Sequence, residues 1–446
     1  MDSPFSPKAT NPASGREPGL QEECLSKTSA AEKGEPDKMK TRILTLVLAL
    51  MLVALTPLAS LAEETSNVTI WLGSWWEGEK EWIEKEFAEQ NPGYTCTIEL
   101  QPIANYTENA VTAIVGGNSP DVMALDTLFL PTLMSQGLLD PLDDFVAEAG
   151  IDMSDITEVL VKAGTMDDTL YAIPYRWTCN VLFYNKTMFD AAGVEHPEDG
   201  LTLEQFRTLC EELTIPGEQY GYGIAASKND PANVMTSFTP VLWGMGGDFL
   251  SEDLSTCTLN SPEAIAAIEY WCNLYYDGLV PEGCINYSIT ADLFPLAMNQ
   301  TIAMIPMGDS NIVNIAPYAE ENGFEWGVCL SPGYARAAGW SFAVPISAAN
   351  KEGAEVFMKW FLQPEVVSKN NTVLPASAKA RTMGKWADEL YSIYDTQAAA
   401  SKHCPNTPAW TQIQTIVTEE LQNALQKACT PAEAAEAMVE RIEGLL

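Results

Sequence analysis

The order in which short apolar segments and amphipathic ones follow each other most constrains what this chain can fold into. Residues 67–72 (NVTIWL) read as a strand that runs into Gly73-Ser74-Trp75-Trp76. Residues 80–89 follow as a helix, with Trp82, Ile83 and Phe87 on one face. Asn91-Pro92-Gly93 stops it, and residues 94–100 resume as an alternating strand. Strands alternating with amphipathic helices call for an α/β architecture. Later helix starts are marked as clearly. Thr202-Leu203-Glu204-Gln205 and Thr430-Pro431-Ala432-Glu433 have capping-box spacing, and Ser261-Pro262 places a capping hydroxyl before a first-turn proline.

Not all of the chain enters that pattern. Lys40 and Arg42 precede a run, residues 43–55, that is apolar apart from Thr45, and Ser60-Leu61-Ala62 then offers a small-x-small cleavage site. This is the layout of a secretory signal starting at Met39. The run is shorter than the roughly 20 residues that span a bilayer. Residues 39–62 are therefore expected to be removed on export to the periplasm or cell surface. Residues 1–38, rich in Pro, Gly, Ser and charge, are expected to be a disordered leader, with translation starting at Met39 instead. No cysteine lies between Cys24 and Cys96, so a lipoprotein anchor is not expected.

The leader and signal are charge-balanced, so the net charge of −37 belongs to the exported part. Such a surface repels nucleic acid and anionic lipid. About 380 residues normally divide into two domains. Nine cysteines remain, an odd number without CxxC spacing, and His196 and His403 are the only imidazoles, which argues against a zinc site. Cys272 with Cys284, or Cys404 with Cys429, could pair; buried thiols are the competing reading. No GxSxG, HExxH, P-loop or GxGxxG motif is present, and acid pairs in so acidic a chain are no sign of a glycosidase. An enzyme is not expected, nor is a cofactor.

Four segments, in order, carry a resemblance. The first is the opening strand, helix and strand. The second runs from Ser119-Pro120-Asp121-Val122-Met123-Ala124 to Gly137-Leu138-Leu139-Asp140-Pro141-Leu142. The third pairs Leu170-Tyr171-Ala172-Ile173-Pro174 with Leu182-Phe183-Tyr184-Asn185-Lys186. The fourth runs from Ala303-Met304-Ile305 through Ala338-Gly339-Trp340-Ser341-Phe342-Ala343-Val344-Pro345 to Leu374-Pro375-Ala376. Together they resemble the extracellular solute-binding proteins of ABC importers, in the carbohydrate-binding family that includes maltodextrin-binding protein. The resemblance covers nearly all of 66–446.

It implies a type II periplasmic-binding-protein-like fold: two doubly wound α/β lobes with a hinge and a central cleft. Lobe 1 would hold 66–177 plus 331–376, and lobe 2 178–330 plus 377–446, with crossings near 175–178, Leu330 and Leu374. It also implies a monomer that closes on a sugar or oligosaccharide and delivers it to membrane permease subunits. A binder of another small polar solute, such as a polyamine, polyol or peptide, is the alternative.

A sugar needs flat aromatic platforms beside groups that satisfy hydroxyls. Trp75 and Trp76 follow the first strand, where the family's first binding loop lies, although a packed turn is the competing reading. Asp126 ends the PDVMAL segment, as cleft carboxylate or helix cap. Tyr175, Arg176 and Trp177 follow Pro174 at the first crossing, where Arg176 can donate several fixed hydrogen bonds and Trp177 can stack or pack the hinge. Trp243 is read as a loop residue beside Gly244, Gly246 and Gly247, Asp309 as a strand-end carboxylate, and Trp340 as a cleft aromatic. Where maltodextrin binders carry a Trp after the "AM" strand, this chain has Asp309-Ser310, which argues against a maltodextrin. Trp82, Trp271, Trp360 and Trp386 are expected in the core.

Overall fold

The computed structural model describes residues 65–102 and 106–446; the segments expected to be an export signal and a leader lie outside the described residues. Twelve strands are described: β1 (Ser66–Gly73), β2 (Tyr94–Gln101), β3 (Val122–Asp126), β4 (Thr165–Met166), β5 (Thr169–Leu170), β6 (Ile173–Thr178), β7 (Asn180–Asn185), β8 (Tyr220–Tyr222), β9 (Ile302–Gly308), β10 (Trp326–Cys329), β11 (Ala335–Ala343) and β12 (Ser401–His403). One sheet has the order β12-β11-β3-β1-β2, with β6 also on β11; a second has the order β10-β7-β9-β8. Strands β1, β2 and β3 run parallel, and β11 runs antiparallel to β3 and β6.

The opening pattern folds as its alternation requires. Val68, Ile70 and Leu72 are fully buried, and the helix Lys80–Gln90 buries Ile83 and Phe87 on one face. Asp121 explains one of the motifs physically. Its Oδ2 accepts from the Thr69 N–H and hydroxyl, and its Oδ1 from the Asn350 N–H. One carboxylate thus ties β1 to the turn before the helix Lys351–Phe361. Thr202 and Thr430 form complete capping boxes, and Ser261 caps the helix Pro262–Tyr276.

Residues of β7 alternate between two apolar clusters, Val181 and Phe183 facing the one shared with the first sheet, Leu182 and Tyr184 facing the other. The second cluster packs the helices Pro231–Gly244, Pro262–Tyr276, Trp410–Leu425 and Pro431–Glu443. The chain leaves the first sheet for the second through one residue, Cys179, between β6 and β7. It returns between β10 and β11, where Gly333 has a φ of +77° and a Cβ there would lie 2.2 Å from the Pro240 carbonyl oxygen. Only glycine fits that approach.

The expected crossing at Leu374 is displaced. Leu374 accepts from the Trp177 N–H, the helix Glu389–Ala398 packs on both β7 and β11, and β12 joins the first sheet. The last passage to the second sheet's helices therefore follows His403. All nine cysteines among the described residues are free thiols, so neither suggested pairing forms.

Candidate functional site

Three neighbouring strands place Asp126, Trp340 and Arg176 in one row: Trp340 lies opposite Asp126 of β3 on one side and opposite Arg176 of β6 on the other. Residues directly opposite in antiparallel strands share a face, so these three side chains point the same way. Between Trp340 and Ser341 the register with β6 slips by one residue, the mark of a bulge. Gly339 permits the approach, since a Cβ there would lie 2.3 Å from the Arg176 carbonyl oxygen.

Around this row the aromatic rings interlock. Half-buried Trp75 meets Trp340 edge to face at 4.6 Å, and Tyr106 meets the same ring at 5.6 Å. The Arg176 guanidinium sits 5.8 Å from the centre of the Trp75 ring, within cation–π range. Four residues before Trp340 on the same strand, Arg336 falls on the same face by the two-residue period. Its Nε donates to Thr236 Oγ1 at 3.2 Å, reaching the helix Pro231–Gly244.

The electrostatics follow from burial. Asp126 is held above the usual carboxylate range by loss of solvent, opposed by the Leu128 N–H on its Oδ1 and by the charges of Arg336 and Arg176. Four buried donor groups here have no hydrogen-bond partner among the described residues: Trp75 Nε1, the Tyr106 hydroxyl, Arg176 Nε and Arg336 Nη1. A face of interlocked rings edged by unsatisfied donors and one carboxylate is suited to hold a polyhydroxylated solute.

Sequence reasoning placed nine residues at the site, and the structure unites four of them. Trp75, Asp126, Arg176 and Trp340 adjoin one another. Trp76 and Trp177 are completely buried and Tyr175 almost so, with Tyr175 stacked on Phe342 at 4.3 Å and Trp76 tilted against Tyr175. For Tyr175 and Trp177 the physical reason is alternation, since neighbours of a face residue on a strand point to the opposite side; Trp76 ends the short helical turn Ser74–Trp76, which turns its ring inward. Trp243 belongs to the helix Pro231–Gly244, not a loop; it packs on Phe249 and donates to Asp248 from inside the second core. Asp309 stands beside the row, but its oxygens are engaged. Thr178 Oγ1 donates to Oδ1 at 2.5 Å, Leu374 N to Oδ2 at 3.3 Å, and Arg176 lies 3.8 Å away. Trp271, Trp360 and Trp386 are buried as expected, and Trp82 is half-buried against Trp360. Tyr106, Thr236 and Arg336 were missed, and only Arg336 had a signal, its even spacing from Trp340.

A separate cavity of about 280 Å³ has Gly150, Ile156, Pro174, Tyr175, Leu362 and Ser377 in its wall. None of Trp75, Asp126, Arg176 or Trp340 lines it, and its Lys379 and Asp152 neutralise each other at 2.8 Å. The aromatic row carries the stronger chemistry.

Comparison with known proteins agrees with this architecture. The sn-glycerol-3-phosphate-binding periplasmic protein UgpB of Escherichia coli K12 is 22% identical over 397 residues, covering 82% of this chain and 88% of that one. Among solved structures, an ABC transporter solute-binding protein of Thermotoga lettingae bound with α-D-tagatose superposes with a TM-score of 0.74 at 23% identity, covering 85% of this chain and 99% of that one. Maltose-bound MalE3 of T. maritima gives 0.73 at 19% identity, covering 86% and 100%. These likenesses show a fold shared with type II periplasmic binding proteins. The model of the bacterial extracellular solute-binding protein family matches residues 76–368, most of the described chain, and the protein belongs to that family.

Proposed function

We propose that this chain is the extracytoplasmic substrate-binding component of an ABC transporter, capturing a sugar or oligosaccharide between two lobes and delivering it to the permease. The observation that carries the reading is the row Arg176–Trp340–Asp126 with Trp75 against it, which sets aromatic surface beside donors and an acceptor. The relatives that bind tagatose, maltose and glycerol phosphate support a small polyhydroxylated ligand. The lobes are assigned as 66–177 plus 331–376 and 178–330 plus the remainder, except that β12 stays with the first sheet. Residues 39–62 are read as the export signal, and the exported protein as a monomer.

In this reading nothing covalent happens to the ligand. Open and closed arrangements coexist, and a ligand that touches both lobes only when they close biases the population toward closure. A glycosidase would need two free carboxyl groups about 5–9.5 Å apart, whereas Asp309 is committed to Thr178 and Leu374. Arg176 in the row and Arg336 beside it also disfavour polyamines.

Differential scanning fluorimetry against saccharides, polyols and amines tests the proposal. A ligand present at 100 times its dissociation constant should add about 2.7 kcal/mol of stability. A shift with spermidine and none with any saccharide or polyol would overturn it, as would turnover of a saccharide.

A further inference from the structure

The described residues contain five arginines, and four of them have a carboxylate within ion-pair distance. Arg176 faces Asp309, Arg207 faces Glu211 and Asp277, Arg381 faces Asp395, and Arg441 faces Glu419 and Glu420. Arg336 has none, in a protein whose net charge is −37. Acidic side chains outnumber basic ones so heavily that an unpaired guanidinium is the exception needing a reason. It is also partly withdrawn from water: the residue is half-buried, its Nη1 is buried without a hydrogen-bond partner, and its Nε is engaged by Thr236. A buried donor left without a partner is costly in general, so the Nη1 group calls for an acceptor from elsewhere.

Its position shows what that acceptor belongs to. Arg336 lies on the face of β11 that carries Trp340, beside the row that also holds Asp126 and Arg176. The unsatisfied groups there are lopsided. Trp75 Nε1, Arg176 Nε and Arg336 Nη1 can only donate, and Tyr106 can donate or accept. Each hydroxyl of a neutral sugar brings a donor along with its two acceptor lone pairs, whereas an oxyanion brings acceptors alone. Asp126 is the one carboxylate of the row, held above the usual range by burial and making no ion pair with Arg336, and His403 beside Arg336 is kept neutral, its value lowered to about 4 by burial.

We propose that the ligand is an acidic carbohydrate, a sugar or polyol bearing a carboxylate or a phosphate ester, whose oxyanion is received by Arg336 while Trp75 and Trp340 line its carbon skeleton. Arg176, already neutralised by Asp309, is left to serve hydroxyls. The inference rests on the sugar-capture reading above and narrows it.

Isothermal titration of the purified protein against matched pairs decides it: galactose with galacturonate, glucose with gluconate, glycerol with glycerol phosphate. At least one acidic member should bind about tenfold or more tighter than its neutral partner, consistent with a charge-assisted hydrogen bond. The uronate and phosphate arms separate the two sources of charge. Arg336→Gln should erase that preference and Arg336→Lys should keep part of it. Should Arg336→Gln not fold, the matched pairs on the unaltered protein still decide. Neutral members binding as tightly as acidic ones would overturn the inference and leave sugar capture standing. No response to any saccharide or polyol would overturn both.

Discussion

Asp309 was expected to contact ligand, and the structure makes it a tether instead, which gives a test with a worked magnitude. It follows β9 of the second sheet, yet its oxygens take hydrogen bonds from Thr178 at the end of β6 and from the Leu374 N–H, with Arg176 3.8 Å away. Its side chain is 1% exposed. Asp309→Ala strands two buried donors and removes the carboxylate that compensates Arg176. Hydrogen bonds to a charged acceptor contribute about 1.5–3 kcal/mol each, and breaking a buried pair from one side costs about 3–5 kcal/mol. These overlap because they share one carboxylate, so the expected loss is about 3–5 kcal/mol and not their sum. With a urea slope of about 3 kcal/mol per molar, the unfolding midpoint should fall by about 1–1.7 M. Asp309→Asn keeps an acceptor for Thr178 but turns an amide N–H toward the Leu374 N–H, so a loss of about 2 kcal/mol is expected. Urea unfolding followed by tryptophan fluorescence measures both. An unchanged midpoint combined with abolished ligand binding would refute the tether and restore Asp309 to direct contact.

Adjacent residues should separate binding from folding. Trp76→Ala should cost about 3–5 kcal/mol of stability while the folded fraction keeps its ligand affinity; Trp75→Ala should do the reverse, as ligand titration beside urea unfolding will show. Gly333→Ala must accommodate a Cβ 2.2 Å from the Pro240 carbonyl oxygen at a φ of +77°, and should lower stability by at least about 2 kcal/mol in the same unfolding assay. His403 is neutral in the fold, its value depressed to about 4 by burial and by the charge of Arg336, against the opposing Cys404 carbonyl. The unfolded state binds its proton first, so this contribution is complete above about pH 6.5 and is lost as pH falls toward 4. His403→Gln should therefore remove about 1.4 kcal/mol per pH unit from the acid slope across that window, measured by urea midpoints from pH 7 to 4.

The strand and helix order was legible because its signals are local. Capping boxes at Thr202 and Thr430, and alternation in β1, depend on residues a few positions apart. The site was legible in part for the same reason. Arg176 and Trp340 were found through their motifs, but Tyr175 and Trp177 flank Arg176 on a strand, and period two sends them to the opposite face, into the core. The same rule places Arg336 beside Trp340, a deduction available from the strand alone once its extent is known. What could not be read was tertiary. The assignment of Trp243 depended on a helix continuing to Gly244, the engagement of Asp309 on two segments distant in the chain, and Tyr106 on contacts with rings far away in sequence. The displaced crossing belongs with these, since β12 joins the first sheet through long-range pairing.

The acidic surface and the unpaired Arg336 act over different distances, which reconciles them. At physiological ionic strength an exposed charge is screened beyond about 8 Å, so the net −37 is felt mainly as repulsion at the surface, keeping molecules of this protein apart from one another and from polyanions. A half-buried guanidinium held between β11 and the helix Pro231–Gly244 is screened less, and its interaction with a bound oxyanion strengthens as water leaves. Surface charge then governs which large partners are refused, and the Arg336 site governs which small solute is retained. Asp126 shares the face with Arg336 but makes no ion pair with it, and burial holds its carboxyl above the usual range. An acid within ion-pair distance of Arg336 would satisfy it internally and leave the cleft with no reason to discriminate.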